Sequence, residues 1–132
     1  MRFYAVGNMY LSSIQQGIQA AHCVGEMSLK ILGNKMVSEW LHTHKTLICL
    51  NGGNYTSLRD FHTLCTDARN TLYPVAHFSE DYDSLAGMLT CVGIIVPDKI
   101  YEADLDAELE NPTLTPWELE LATRLKRMPL AR

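Results

Sequence analysis

Two runs of the chain leave little choice about its architecture. Leu89 to Val96 (Leu-Thr-Cys-Val-Gly-Ile-Ile-Val) carries no charge and is stopped by Pro97. Lys45 to Leu50 is apolar beyond its first two residues and is stopped by Asn51-Gly52-Gly53-Asn54. Apolar runs of this length, bounded by turn residues, read as strands buried on both faces. Such strands need helices above and below them. The spacing predicts those helices, so the chain is expected to be a small three-layer α/β/α sandwich.

The other elements follow the same signals. Residues 2–10 read as a first strand. Residues 13–32 read as a helix, with Ile14, Ile18, Ala21, Gly25, Leu29 and Leu32 as its apolar stripe, widened by Ala20, Val24, Met27 and Ile31, and Gly33-Asn34 as its stop. A short helix is expected over 35–43. Ser57 followed by Asp60 resembles a capping box, so a helix should begin near 57, with Leu58, Phe61, Leu64, Cys65 and Ala68 inward. Residues 73–78 read as the third strand. The polar stretch 79–87 is too short for a helical crossover, so the third and fourth strands should pair antiparallel in a mixed, four-stranded sheet. A weak helical segment follows around 100–109. Thr115-Pro116-Trp117-Glu118 is a strong helix start, with an expected end near 128. The whole is expected to be one domain, 1–132, with this last helix about 115–128 as an extra element.

Charge and composition narrow the function classes. The net charge is −4, with 20% charged residues, which argues against a duplex binder with an extended basic face. Local basic character is confined to Arg124, Lys126, Arg127 and Arg132, and an acidic segment spans Glu102 to Glu110. No apolar run approaches the ~20 residues that span a bilayer. The N-terminus lacks the apolar stretch of a secretory signal. Cys23, Cys49, Cys65 and Cys91 are scattered, without zinc-type spacing, and read as buried thiols of a cytoplasmic protein. His42 and His44 lack a third ligand, so no metal is expected. No phosphate-binding loop or dinucleotide fingerprint is present, and no cofactor is expected.

The candidate site gathers where the first strand hands over to the first helix. Ser12, Ser13 and Gln15 stand at the helix start, whose free N–H groups suit a phosphate or an oxyanion. Gln19-Ala20-Ala21-His22 follows, and Gly87-Met88-Leu89-Thr90 enters the fourth strand. These two stretches and the order of elements resemble the type II peptidyl-tRNA hydrolases, over roughly residues 2–97. The family carries Gly-Lys-x-x-x-Gln-x-x-His on its first helix; here Ile14-Gln15 stand in the Gly-Lys positions. The resemblance implies a mixed four-stranded sheet with helices on both faces, and cleavage of the ester of peptidyl-tRNA.

That reaction needs an oriented water, oxyanion donors and cations for phosphates. Asp81 or Glu80 would orient or deprotonate water, and Ser12, Ser13 or Gln15 would hold the oxyanion. The catalytic set is expected to be Gln15, His22, Asp81 and Thr90. The ligand-binding set is Ser12, Ser13, Gln19, Asn51, Gly52, Gly53 and Glu80. Plainer alternatives stand beside these: a core-edge histidine at 22, capping serines, an ordinary turn at 51–54, and a solvated acidic loop at 80–83. The absent Gly-Lys motivates a second reading, a non-catalytic module binding a nucleotide-like ligand or a protein. The expected partners are tRNA or a nucleotide-like ligand and a second copy in a homodimer, with no membrane.

Overall fold

The structure, a computed structural model, describes residues 1–80 and 88–131. Strands β1 (Arg2–Gly7), β2 (Leu47–Asn51), β3 (Val75–Ser79) and β4 (Leu89–Val96) form one sheet in the order β2-β1-β4-β3. β1 is parallel to β2 and antiparallel to β4, and β3 is antiparallel to β4. The expected α/β fold with a mixed sheet is therefore present. The helices are α1 (Ser13–Ser28), α2 (Lys35–Glu39), α3 (Tyr55–Cys65), α4 (Asp98–Tyr101), α5 (Leu105–Glu110) and α6 (Pro116–Arg127). No helix of the described residues is long and apolar enough to cross a membrane.

Alternation along the strands builds a core on each face of the sheet. Phe3, Ala5, Cys91 and Ile95 point to α1 and α2, where they meet Cys23, Met27, Val37 and Trp40. Tyr4, Val6, Val92, Ile94 and Val96 point the other way, to Leu58, Phe61, Trp117, Leu121 and Leu125 of α3 and α6. All eight residues of β4 are buried, as a central strand covered on both faces requires. Gly93 lets α1 come close: a Cβ there would stand 2.7 Å from Cys23 Sγ and from the Phe3 ring.

One strand pair departs from regular alternation. The β3–β4 register steps from Phe78↔Cys91 to Ser79↔Leu89, which leaves Thr90 as an extra residue, a β-bulge. The bulge turns Thr90 toward α1, the same side as Cys91, instead of toward the face shared by Leu89 and Val92.

Several expectations need correcting. β1 ends at Gly7 because the Asn8 side chain turns the chain, its Oδ1 accepting from Tyr10 N at 2.9 Å. α1 stops at Ser28, and a 3-10 turn at Ile31–Gly33 follows. The centre of its expected stripe faces solvent, Ile14 being 78% exposed and Leu29 77%, whereas Ala20 and Met27, expected to widen it, are buried together with Gln16, Gln19 and Cys23. α2 ends at Glu39 and continues as a π-turn, Trp40–His44. Lys45, with φ 58°, closes that turn in the left-handed region, so β2 begins only at Leu47. α3 begins at Tyr55, since Asn54 and not Ser57 is the N-cap, accepting from Ser57 N at 2.9 Å. Ala68 lies beyond the end of α3 and is exposed. β3 starts after Pro74, at Val75, and takes in Ser79. The weak helical segment expected around 100–109 is two short helices, α4 and α5, and only α5 lies in the acidic stretch.

Candidate functional site

Strand direction gathers the site. β3 is antiparallel to β4, as β1 is, so the C-terminal ends of β1, β2 and β3 share one edge of the sheet with the start of β4. The loop Asn8–Ser12, the Asn51–Asn54 loop, Glu80 and Met88 all leave from that edge. Loops at such an edge are where open α/β sheets take ligands.

The strongest constellation is a run of hydrogen bonds from the bulge to a carboxylate. Thr90 Oγ1 lies 3.0 Å from Gln19 Oε1 and 3.1 Å from the Phe78 carbonyl oxygen, both acceptors. Gln19 Nε2 donates to Glu80 Oε1. Gln19 is 5% exposed and Thr90 fully buried, whereas Glu80 is half-buried at the rim. Glu80 N donates to Met88 O at 3.0 Å, which ties the end of β3 to the approach to β4. The protein thus sets one carboxylate at the strand ends, gripped by a buried amide whose own position is set by the bulge. An amide shared in this way offers its oxygen to the hydroxyl and its hydrogen to the carboxylate.

Two further residues of the site were not singled out in the sequence. Asn8 is 2% exposed; its N–H donates to Thr90 O at 3.3 Å and its Nδ2 lies 3.8 Å from Met88 Sδ. Gln16 is 7% exposed, and its Nε2 donates to Leu11 O at 3.0 Å, bracing the loop before α1. Its Oε1 is buried without a hydrogen-bond partner among the described residues. The signal for Gln16 was available: it stands three residues before Gln19, on the same helical face.

The remaining expected residues divide. Ser12 and Gln15 form a reciprocal capping box, with Gln15 N to Ser12 Oγ at 3.2 Å and Ser12 N to Gln15 Oε1 at 3.0 Å. Gln15 is therefore a capping residue at an exposed helix end. Ser13 is the exposed first residue of α1. His22 is exposed and stacks on Phe78, with ring centroids 4.3 Å apart and planes 8° apart. It packs against the strand that presents Glu80 and is not in the hydrogen-bonded run. Thr90 is fully buried and stands behind Gln19. Asp81 lies outside the described residues.

The Asn51-Gly52-Gly53 segment is tied to the neighbouring loop. Gly52 N donates to Gly7 O at 2.8 Å and Met9 N to Gly53 O at 2.8 Å, while Asn51 Oδ1 accepts from Gly53 N at 2.9 Å. Gly53 has φ +83°, a conformation that glycine adopts without a Cβ penalty. The segment lines a cleft together with Arg124 and Arg127, and Glu80 is not part of that lining.

Comparison with protein-family models and with curated proteins finds no match.

Proposed function

We propose that the chain hydrolyses the ester joining a peptidyl or acyl group to tRNA, with Glu80 as the water-orienting carboxylate. The observation that carries this reading is the bonded run Thr90, Gln19, Glu80, which presents one carboxylate at the loop edge in a set orientation. Glu80 positions a water and takes its proton as the oxygen attacks the carbonyl carbon. The carbon–oxygen bond to the ribose then breaks, and the proton passes to the leaving alkoxide. Free N–H groups at the start of α1 suit the developing oxyanion. The resemblance supplies the substrate class. The four free thiols suit a reducing cytoplasm.

Release of the acyl group from N-acetyl-aminoacyl-tRNA tests the reading. Glu80→Gln keeps the hydrogen-bonding shape and removes the base, so turnover should fall about 10²–10⁴-fold, the usual contribution of a positioned base. Equal rates for wild type and Glu80→Gln would end the assignment.

A second reading has its own support. Gln15 and Ser12 are consumed by capping, and Thr90 is inaccessible, which leaves few groups for chemistry. A non-catalytic module would be stabilised thermally by a nucleotide or tRNA fragment without forming product. Pairing of two copies is supported by the outer face of α1. Ile14, Ile18 and Leu29 stand in solvent there, and Gly25 has open space where a facing side chain would seat.

A further inference from the structure

The cleft beside the Asn51–Asn54 loop is built differently from the Glu80 site. It encloses about 300 Å³ and is lined by Asn51, Gly52, Gly53, Ser57, Arg124 and Arg127, with Met128 and Pro129 at its margin. The chain assembles it from distant parts. Residues after α6 lie along the outer edge of β2, where Asn51 N donates to Pro129 O at 2.8 Å and Ala131 N to Cys49 O at 2.9 Å. This pairing sets the last turn of α6, with both arginines, against the loop that opens α3.

The two guanidinium charges there are not matched by close carboxylates. Among the described residues, neither Arg124 nor Arg127 has a carboxylate within salt-bridge distance, although Asp60, Asp67 and Glu120 line the neighbouring groove that Arg124 also borders. Two guanidinium groups carry planar forks of donors that match phosphate oxygens. The positive end of α3 lies on the same side, since Ser57 in its first turn lines the cleft.

We propose that this cleft binds a phosphate of a single-stranded polynucleotide whose ester-bearing end reaches Glu80. The polynucleotide rests on the hydrolase reading; the anion site does not. β2 and β3 are the outer strands of the sheet, three strand spacings or about 14 Å apart along the edge, and α6 and α1 cover opposite faces, so the cleft and Glu80 are separated by more than that spacing. A chain of nucleotides spans that distance, and a single phosphate does not.

The test uses a fluorescently labelled single-stranded RNA ending in CCA, with anisotropy read at several salt concentrations. Arg124→Ala/Arg127→Ala should weaken binding about tenfold or more and flatten the salt dependence by about 0.7 for each phosphate no longer neutralised. Thermal melting checks that the variant is folded, and Arg124→Lys/Arg127→Lys should keep the salt slope. Wild-type protein that does not bind, or a folded double-alanine variant with unchanged affinity and slope, overturns the proposal. So does pyrophosphate displacing the RNA with equal affinity, which would mark a site for a free anion. Binding through the arginines by a protein that hydrolyses nothing leaves the phosphate site standing and removes the hydrolase reading, and with it the ester-bearing end at Glu80. Hydrolysis with binding indifferent to the arginines does the reverse.

Discussion

Glu118 shows how one side chain can hold three elements together. Its carboxylate closes the capping box of α6 by accepting from Thr115 N at 3.0 Å, takes the Tyr73 hydroxyl, and pairs with Lys99 Nζ of α4 at 2.9 Å. Burial raises its pKa, but the bonds from Tyr73, Thr115 and Lys99 outweigh that and hold it down to about 2. The folded state therefore prefers the ionised form. The stability this supplies is complete above the ordinary glutamate range near 4.5 and is lost as pH falls toward 2. Glu118→Gln should lower stability by about 1–3 kcal/mol at neutral pH. It should also flatten the fall of melting temperature between pH 5 and 3, followed by circular dichroism. Residue type and spacing revealed the cap, because Thr-Pro-Trp-Glu is a local pattern. Tyr73 and Lys99 were invisible in the sequence, since they reach Glu118 only through the tertiary fold.

At the scale of elements, what could be read depended on whether the signal was local. β4 was legible to the residue, because an uninterrupted apolar run has one reading when a proline closes it. α3 was legible in kind and on its inner face, but its start was misplaced by two residues. Ser57 and Asn54 both precede a helical pattern, and only the structure shows the Asn54 side chain taking the Ser57 N–H. Asn54→Ala should cost about 1 kcal/mol in chemical denaturation, and Ser57→Ala only a few tenths; the reverse order would restore the capping box at 57. α1 was inverted. Its isoleucines and leucine recur at helical spacing and claim the core on periodicity alone, yet the buried face carries Gln16 and Gln19. A polar inner face is tolerated only because those amides find partners in the loop before α1 and in Thr90 and Glu80. The element that breaks the hydrophobic pattern is thus the one that builds the candidate site. The bulge at Thr90 left no mark in the sequence, because an extra residue in one strand is defined only by the strand opposite it.

For the whole molecule, topology decides which residues can act together. The sheet order brings Glu80, Asn8 and the glycine loop to one edge although they are far apart in the chain, and it was the short link between the third and fourth strands that allowed a mixed sheet to be foreseen. The sheet ends in β2 on one flank and β3 on the other, and the two flanks differ. Residues 129–131 run along β2 and take up backbone groups of Cys49 and Asn51. Among the described residues no strand does this for β3. A chain shortened to end at Met128 should therefore scatter more light as its concentration rises, where the longer chain forms a species of fixed size. An uncovered flank is an invitation to add a neighbour, and a molecule with two such flanks can be extended at both sides without end. Among the described residues, with part of one flank taken by residues 129–131, edge-to-edge addition is left to β3, and joining two β3 edges makes a closed pair, where a fibre would need a second open edge.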